Sequence, residues 1–243
     1  MKLVGLTGGI ASGKSTVSRL LQERNIPIID ADKIARKVVE PGQSANRLIR
    51  KHFGDEVFLP NGEINRPKLG EVIFADPAKR KILNQCTHPA VRIEMLKQAF
   101  FYWIKGADVV VLDVPLLLES GMDKLVGTTV VVYCSEVLQL QRLMNRDGLS
   151  EDAATQRIRA QMPLSDKVKR ADVVLDNSTN IAQLETQVKN LISRIKPSPI
   201  TWLLEYAGPP TILVGALVAI KMYAPHLLLS LGNWIAKQRS SAA

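Results

Sequence analysis

Lys14 and Ser15 carry the most specific chemistry in this 243-residue chain, because of the glycines around them. The run "GGIASGKST" sets Gly8, Gly13, Lys14 and Ser15 in the pattern G-x-x-x-x-G-K-[ST]. Glycines let successive backbone N–H groups turn inward around a phosphate, and a helix that follows presents its partly positive N-terminus to the same anion. A lysine here reaches the β- and γ-phosphates, and a hydroxyl ligates Mg²⁺. Gly8, Gly9, Ile10, Ala11, Ser12, Gly13, Lys14, Ser15 and Thr16 are therefore the candidate ATP-binding run, with Lys14 also acting on the transferring group and Ser15 on the metal. The competing reading is a glycine-rich turn ahead of a helix.

Two carboxylates stand where a phosphate loop would need them. "DADKIAR" puts Asp30 and Asp32 at the end of an apolar run. An Asp there can take the proton of an acceptor hydroxyl, or it can simply cap the helix that begins there, for which Asp32 is well suited. Asp113, after "VVVL", is a candidate to hold Mg²⁺ through water; the alternative is a strand-end turn before Pro115. Further on, Arg142 and Arg146 lie four apart. Gly148 breaks their helix, and Ser150, with Glu151 and Asp152 behind it, starts another on which Arg157 and Gln161 share a face. The pattern fits a hinged basic lid as well as it fits a solvated helical hairpin.

The elements that must position these groups alternate. "KLVGL", "IPIID" (Ile26 to Asp30), "DVVVLDV" (Asp108 to Val114), "TTVVVYC" (Thr128 to Cys134) and "DVVLD" (Asp172 to Asp176) are apolar runs without alternation, as in strands covered on both faces. Helical patterns separate them. From His88 to Lys105, the stripe Ile93, Leu96, Phe100, Trp103 and Ile104 predicts a helix packed into the core. The sum is a doubly wound α/β domain on a parallel five-stranded sheet, with its ligand at the C-terminal strand ends.

Composition narrows the partners. A formal charge of +9 suits anions, whether polyphosphate, nucleic acid or lipid. Aromatics make up 5% of the chain and do not interleave with a basic stripe, which argues against nucleic acid. Cys86 and Cys134 belong to no metal motif, and a disulfide scaffold is implausible at this length. The first strand starts near Lys2, so an intracellular location without a secretory signal is expected.

Six blocks in order, "GLTGGIASGKSTV", "DADKIAR", "NRPKLGEVIFAD", "LNQCTHPAVR", "DVPLLLESG" and "RDGLSEDAATQRIRAQM", resemble the dephospho-coenzyme A kinase family over Lys2 to Lys196. The resemblance implies a phosphate-loop kinase that moves the γ-phosphoryl of ATP to the 3′-hydroxyl of dephospho-CoA, the last step of CoA synthesis. It implies that Asp32 is the base, that Gly8 through Ser15 bind ATP with Mg²⁺, and that Arg146 faces the phosphates. Arg142 and Asn177 fall on the nucleotide side, Asn177 close to the adenine. Asn65 to Arg92 matches a helical acceptor-binding insertion with Arg66, His88 and Pro89 at its recognisable positions; Arg157 and Gln161 of the lid fall to the acceptor as well. Ala11 departs from the pattern, standing where many members have a further glycine. Another small-molecule or nucleotide kinase on the same scaffold, and a non-catalytic membrane-bound nucleotide sensor, are the alternatives. A regulatory GTPase would need N-K-x-D after a strand, which "DNST" and "YCSE" do not supply.

After Lys196 the composition shifts. Residues 197–243 open with prolines and turn apolar, which places a domain boundary near Pro197 and predicts a helical tail that associates with an intracellular membrane through residues 199–236. Thr211 to Ile220 is clean but spans only about half of a bilayer core, and Lys221 interrupts its continuation. A crossing, a one-leaflet hairpin and an apolar helix packed on the preceding domain are the three readings of this segment.

Overall fold

A computed structural model describes residues 1–196; the boundary and tail expectations lie outside the described residues. Five strands form one sheet: β1 (Lys2–Gly8), β2 (Ile28–Asp30), β3 (Val109–Asp113), β4 (Thr128–Tyr133) and β5 (Val173–Asp176). Their order is β2-β3-β1-β4-β5, and every pairing is parallel. The five expected strands are all present, with ends moved by a residue or two. β2 starts later than the apolar run because Pro27 has no N–H to donate. Its carbonyl still accepts from Val111 N, and Ile26 N turns back to Leu21 O.

Side chains of one strand divide between two cores. Val110 and Leu112 join Ile29, Ile34, Ile49 and Met95 on one face, whereas Val109 and Val111 join Val17, Leu21, Val130 and Leu191 on the other. Period-two geometry thus buries every residue of β3. Each such side chain contributes about 1.5–3 kcal/mol of burial, which is why the run shows no polar alternation.

Register then decides the chemistry. Leu6 and Asp30 both pair with Asp113, and Gly8 pairs with Val132, so the glycine loop and both acidic strand ends share one sheet edge. Helix α1 (Lys14–Gln22) leaves the loop, and α2 (Ala31–Lys37) leaves β2. Between β2 and β3 lie α3 (Ser44–Phe53), α4 (Arg66–Ala75) and α5 (Pro77–Ile104). Asn65 caps α4 and Asp76 caps α5 through backbone N–H groups, each with a proline in the following first turn. Beyond β4 come α6 (Glu136–Asp147), α7 (Glu151–Arg159) and α8 (Leu164–Lys169); α9 (Ile181–Ile195) follows β5.

The expected packing of the His88 to Lys105 stripe is overturned. Ile93, Leu96, Phe100 and Ile104 are 54 to 64% exposed, and the residues α5 buries are Cys86, Met95 and Ala99. Two apolar stripes run along this helix. The one with smaller side chains lets α5 approach its neighbours and takes the core. The helix also begins eleven residues before His88, with Pro89 inside it.

Candidate active site

The phosphate loop joins the end of β1 to the start of α1. Gly13 precedes the helix at φ 94°, a left-handed conformation open to glycine, and a Cβ there would lie 2.0 Å from Asn177 Nδ2. Ala11 is also left-handed, at φ 58°. Three loop carbonyls accept from distant side chains: Gly8 O from Lys167 Nζ at 3.3 Å, Ile10 O from Gln139 Nε2 at 2.9 Å, and Ser12 O from Asn177 Nδ2 at 2.9 Å. Ile10 N donates to Gln161 Oε1 at 2.9 Å.

Lys14 pairs with Oδ1 of Asp113, and Ser18 Oγ donates to the other oxygen of the same carboxylate. Asp113 is buried at the end of β3, so its charge is held at the floor of the loop by two residues of α1. Ser15, next along the helix, is exposed.

The two acids of "DADKIAR" have separate tasks. Asp30 caps α2, accepting from Lys33 N at 3.0 Å, whereas Asp32 sits in the first turn beyond the cap. The cap reading therefore belongs to Asp30, and the Asp32 carboxyl is left in the wall of a cavity of about 830 Å³. Desolvation by that wall raises the Asp32 pKa above the usual carboxylate value. Lys14 pulls it down, and Asp30 and Asp113 push it further up. Lys14 and Asp32 thus feel each other across the junction of loop and cavity.

Arg66, His88, Arg92, Glu119 and Gln161 line the same cavity, among apolar side chains from α4 and α5. Arg66 and His88, two of the residues named by the acceptor reading, are thus on the cavity wall. Pro89 is exposed and is not among the lining residues.

In the lid, Gly148 ends α6 at φ 64° and Ser150 caps α7, as its pattern predicts. Asp147 then gathers both arginines: Arg146 Nε at 2.8 Å and Arg157 Nη1 at 2.9 Å. These bonds hold the Asp147 carboxyl below its usual range, Arg146 contributing most. Arg157 and Gln161 do not share a helix face, because α7 ends at Arg159. Arg157 turns to Asp147 and Gln161 to the loop. Arg142 also parts from Arg146: its Nη2 donates to Asn177 O at 3.1 Å, and its buried Nη1 lacks a partner among the described residues. Burial raises the pKa of the neighbouring Cys134 thiol, and Arg142 opposes the rise.

Sequence reasoning missed Ser18, Gln139 and Lys167, and gave Glu119 and Arg92 no task within their blocks. Only helical spacing could have flagged Ser18, four residues after Lys14. Nothing local marks Gln139 or Lys167.

A phosphate loop with its lysine on a buried strand-end aspartate, beside a cavity carrying a second carboxylate and a basic helical hairpin, defines a phosphoryl-transfer enzyme of the phosphate-loop class. Residues 2–183 match the sequence model of dephospho-CoA kinase. A dephospho-CoA kinase domain-containing protein of Danio rerio is 55% identical over 80% of this chain and 86% of its own length. The dephospho-CoA kinase CAB5 of Saccharomyces cerevisiae is 43% identical over 94% of this chain and 95% of its own, a match too long to stop at Lys196. In structure, the Campylobacter jejuni dephospho-CoA kinase superposes with a TM-score of 0.62 at 31% identity, covering 81% of this chain and 98% of that one. The Thermus thermophilus protein TT1252 gives a TM-score of 0.71 at 32% identity over the same shares. The chain belongs to the dephospho-CoA kinase family.

Proposed function

We infer that this chain transfers the γ-phosphoryl group of ATP to the 3′-hydroxyl of dephospho-CoA, giving CoA and ADP in CoA biosynthesis. Family membership and the named relatives support the reaction. The observation that carries the division of labour is the capping of α2 by Asp30, which leaves Asp32 in the cavity wall within the field of Lys14.

In this reading, Asp32 accepts the proton of the 3′-hydroxyl as its oxygen attacks phosphorus and the bond to the ADP oxygen breaks. A raised pKa makes the carboxylate a stronger base, provided the pH lies above it. Lys14 leaves Asp113 for the β- and γ-phosphates, exchanging one anion for another at little electrostatic cost. Gln161 yields Ile10 N–H to a phosphate oxygen in the same way. Arg66, His88 and Arg92 bind the acceptor's anionic groups, Arg142 holds the nucleotide, and Arg146 and Arg157 swing in with the lid. Pro89 shapes α5 rather than touching substrate.

Mg²⁺ fits the residues present. Ser15 offers an exposed hydroxyl, and Asp113 regains a free carboxylate oxygen once Lys14 moves; Mg²⁺ otherwise takes phosphate and water ligands and needs no cage of carboxylates. Held there, Mg²⁺ would supply positive charge to offset that of the phosphates. CoA formation from ATP and dephospho-CoA by the purified chain tests the reading. Turnover with other 3′-hydroxyl nucleotides but not with dephospho-CoA would overturn it.

For residues 197–243, we propose a tail that holds the enzyme on an intracellular membrane through residues 199–236. The apolar run Thr211 to Ile220 supports it. Among the described residues, no helix is long and apolar enough to cross a membrane. Carbonate extraction of the full chain against one ending at Lys196 decides: release of both into the soluble fraction excludes an anchor.

A further inference from the structure

The donor loop is braced by side chains from outside the phosphate-loop motif. Gly8, Ile10 and Ser12 alternate along it, and each gives its carbonyl to a donor from a different element: Lys167 of α8, Gln139 of α6 and Asn177 after β5. A backbone anion site works only if its carbonyl dipoles are withdrawn, since a carbonyl facing the phosphates opposes what the N–H groups stabilise.

Lys167 does more than the other two. It is fully buried, and besides Gly8 O its ammonium reaches Pro115 O at 3.3 Å and Glu119 Oε1 at 2.8 Å. Pro115 lies two residues past Asp113, and its carbonyl also accepts from Thr7 Oγ1 of β1 at 2.8 Å. Glu119 lines the acceptor cavity and accepts from Met162 N, next to Gln161, at 3.2 Å. One ammonium therefore joins the start of the donor loop, the chain leaving Asp113, the cavity wall and, through Glu119, the end of the lid segment.

We propose that Lys167 is a positioning residue for phosphoryl transfer, which fixes the donor loop and the acceptor cavity in one register through Gly8, Pro115 and Glu119. Stability alone gives little reason to bury an ammonium, because well-packed apolar replacements of buried ion pairs are often neutral or stabilising. Transfer between two bound substrates does give one. A misplacement of about 1 Å lowers the rate about 10²-fold.

The test uses the full chain and two variants, Lys167→Met and the double variant Lys167→Met/Glu119→Gln. The first keeps an unbranched side chain of nearly the same volume, one atom shorter and without the charge. The second also removes the carboxylate that would be left without its ion-pair partner, while an amide oxygen can still accept from Met162 N. Both should still fold, the single variant with a lowered melting temperature because Glu119 loses its cation, and the double variant closer to wild type. At saturating ATP and dephospho-CoA, kcat should fall about 10- to 100-fold, with either KM moving less than about threefold, because position rather than ground-state binding is lost. Wild-type kcat in folded Lys167→Met overturns the proposal, and so does a lowered melting temperature with unchanged kcat. Recovery of kcat in the double variant alone overturns it too, since Lys167 would then serve only to neutralise Glu119. Should the single variant fail to fold, the neutral double variant carries the test. The inference rests on the reaction assigned above, and CoA formation by the wild-type chain in the same assay separates a failure of that reading from a failure of this one.

Discussion

Gly8 to Thr16 and Asp147 to Gln161 face the same transferring group in this reading, yet they are held in different ways. Around the loop, Ser12, Asp113, Gln139 and Lys167 are all buried, and distant side chains hold the backbone. In the lid, Asp147 gathers Arg146 and Arg157, whose side chains are 57 and 53% exposed. Exposed pairs of this kind contribute little because water screens them, so in this reading the arginines can exchange Asp147 for a phosphate cheaply. On the proposed mechanism, the backbone that must be in place before ATP binds is locked into the protein, and the arginines that would arrive with closure rest at the surface on a carboxylate.

The sharpest way to break this comparison is at the junction of loop and cavity. Asp32→Asn keeps the shape of the side chain and removes its basicity, so kcat should fall about 10²- to 10⁴-fold with ATP binding nearly intact. Loss of stability with normal turnover per folded molecule would return Asp32 to a structural role. In the wild type, a raised Asp32 pKa means that the proton is retained to higher pH than for an ordinary carboxyl. The acid limb of kcat/KM should therefore lie above the usual carboxylate range, with the rate falling as pH drops through it.

Lys14→Ala tests the locked side. In this reading the lysine, like Ile10 N–H, leaves a protein partner for the nucleotide, and its removal should lower kcat about 10²- to 10³-fold in a domain that still folds. Asp113 would then lose its cation but keep Ser18. Unchanged turnover in the folded variant would sink the phosphate-loop assignment.

Arg146→Ala probes the loose side. A charge delivered by closure should affect turnover more than ground-state affinity, with kcat down about 10- to 100-fold. If instead ATP affinity falls while kcat at saturation holds, Arg146 merely binds nucleotide, and Arg142, which lies one turn earlier on α6, becomes the better candidate.

A smaller effect separates the two acids of "DADKIAR". Asp30→Ala removes the cap of α2 and should lower stability by about 1 kcal/mol, or about 2–4 °C in melting temperature for a domain of this size. Asp30 also raises the Asp32 pKa by like-charge repulsion. Its removal should let Asp32 stay ionised to lower pH, so the acid limb of kcat/KM should shift downward. An unmoved limb would show that the two carboxyls do not interact.

What the sequence made legible follows from where the signal sits. The five strands could be read because burial on both faces leaves continuous apolar runs, and the loop because its glycines and Lys14 obey a fixed spacing. Helix α5 was misread because it carries two apolar stripes. Ile93, Leu96, Phe100 and Ile104 outweigh Met95 and Ala99 in hydropathy, but close approach favours the smaller set. Lys167 and Gln139 escaped because their partners lie 159 and 129 residues away, and neither type nor spacing encodes a contact of that range. Asp30 and Asp32 are both plausible caps by composition; backbone geometry at the strand end chooses between them.

The smallest expected effect lies at Ala11, inside the locked region. Its φ of 58° is a conformation in which an L-residue pays about 1–2 kcal/mol relative to its preferred state, a strain glycine does not feel. Ala11→Gly relieves that strain but frees the unfolded chain, which offsets about 0.4–1 kcal/mol. The net should be a gain of about 0.5 kcal/mol, seen as a rise of about 1–2 °C in melting temperature. Turnover and the KM for ATP should stay within about twofold, because Gln139, Asn177 and Lys167 hold the neighbouring carbonyls from outside, and the loop does not depend on residue 11 for its shape. A raised KM for ATP in the glycine variant would mean that the alanine methyl stiffens the loop and that the braces alone do not preform it. The division between a locked donor loop and an exchangeable lid would then have to be redrawn inside the loop itself.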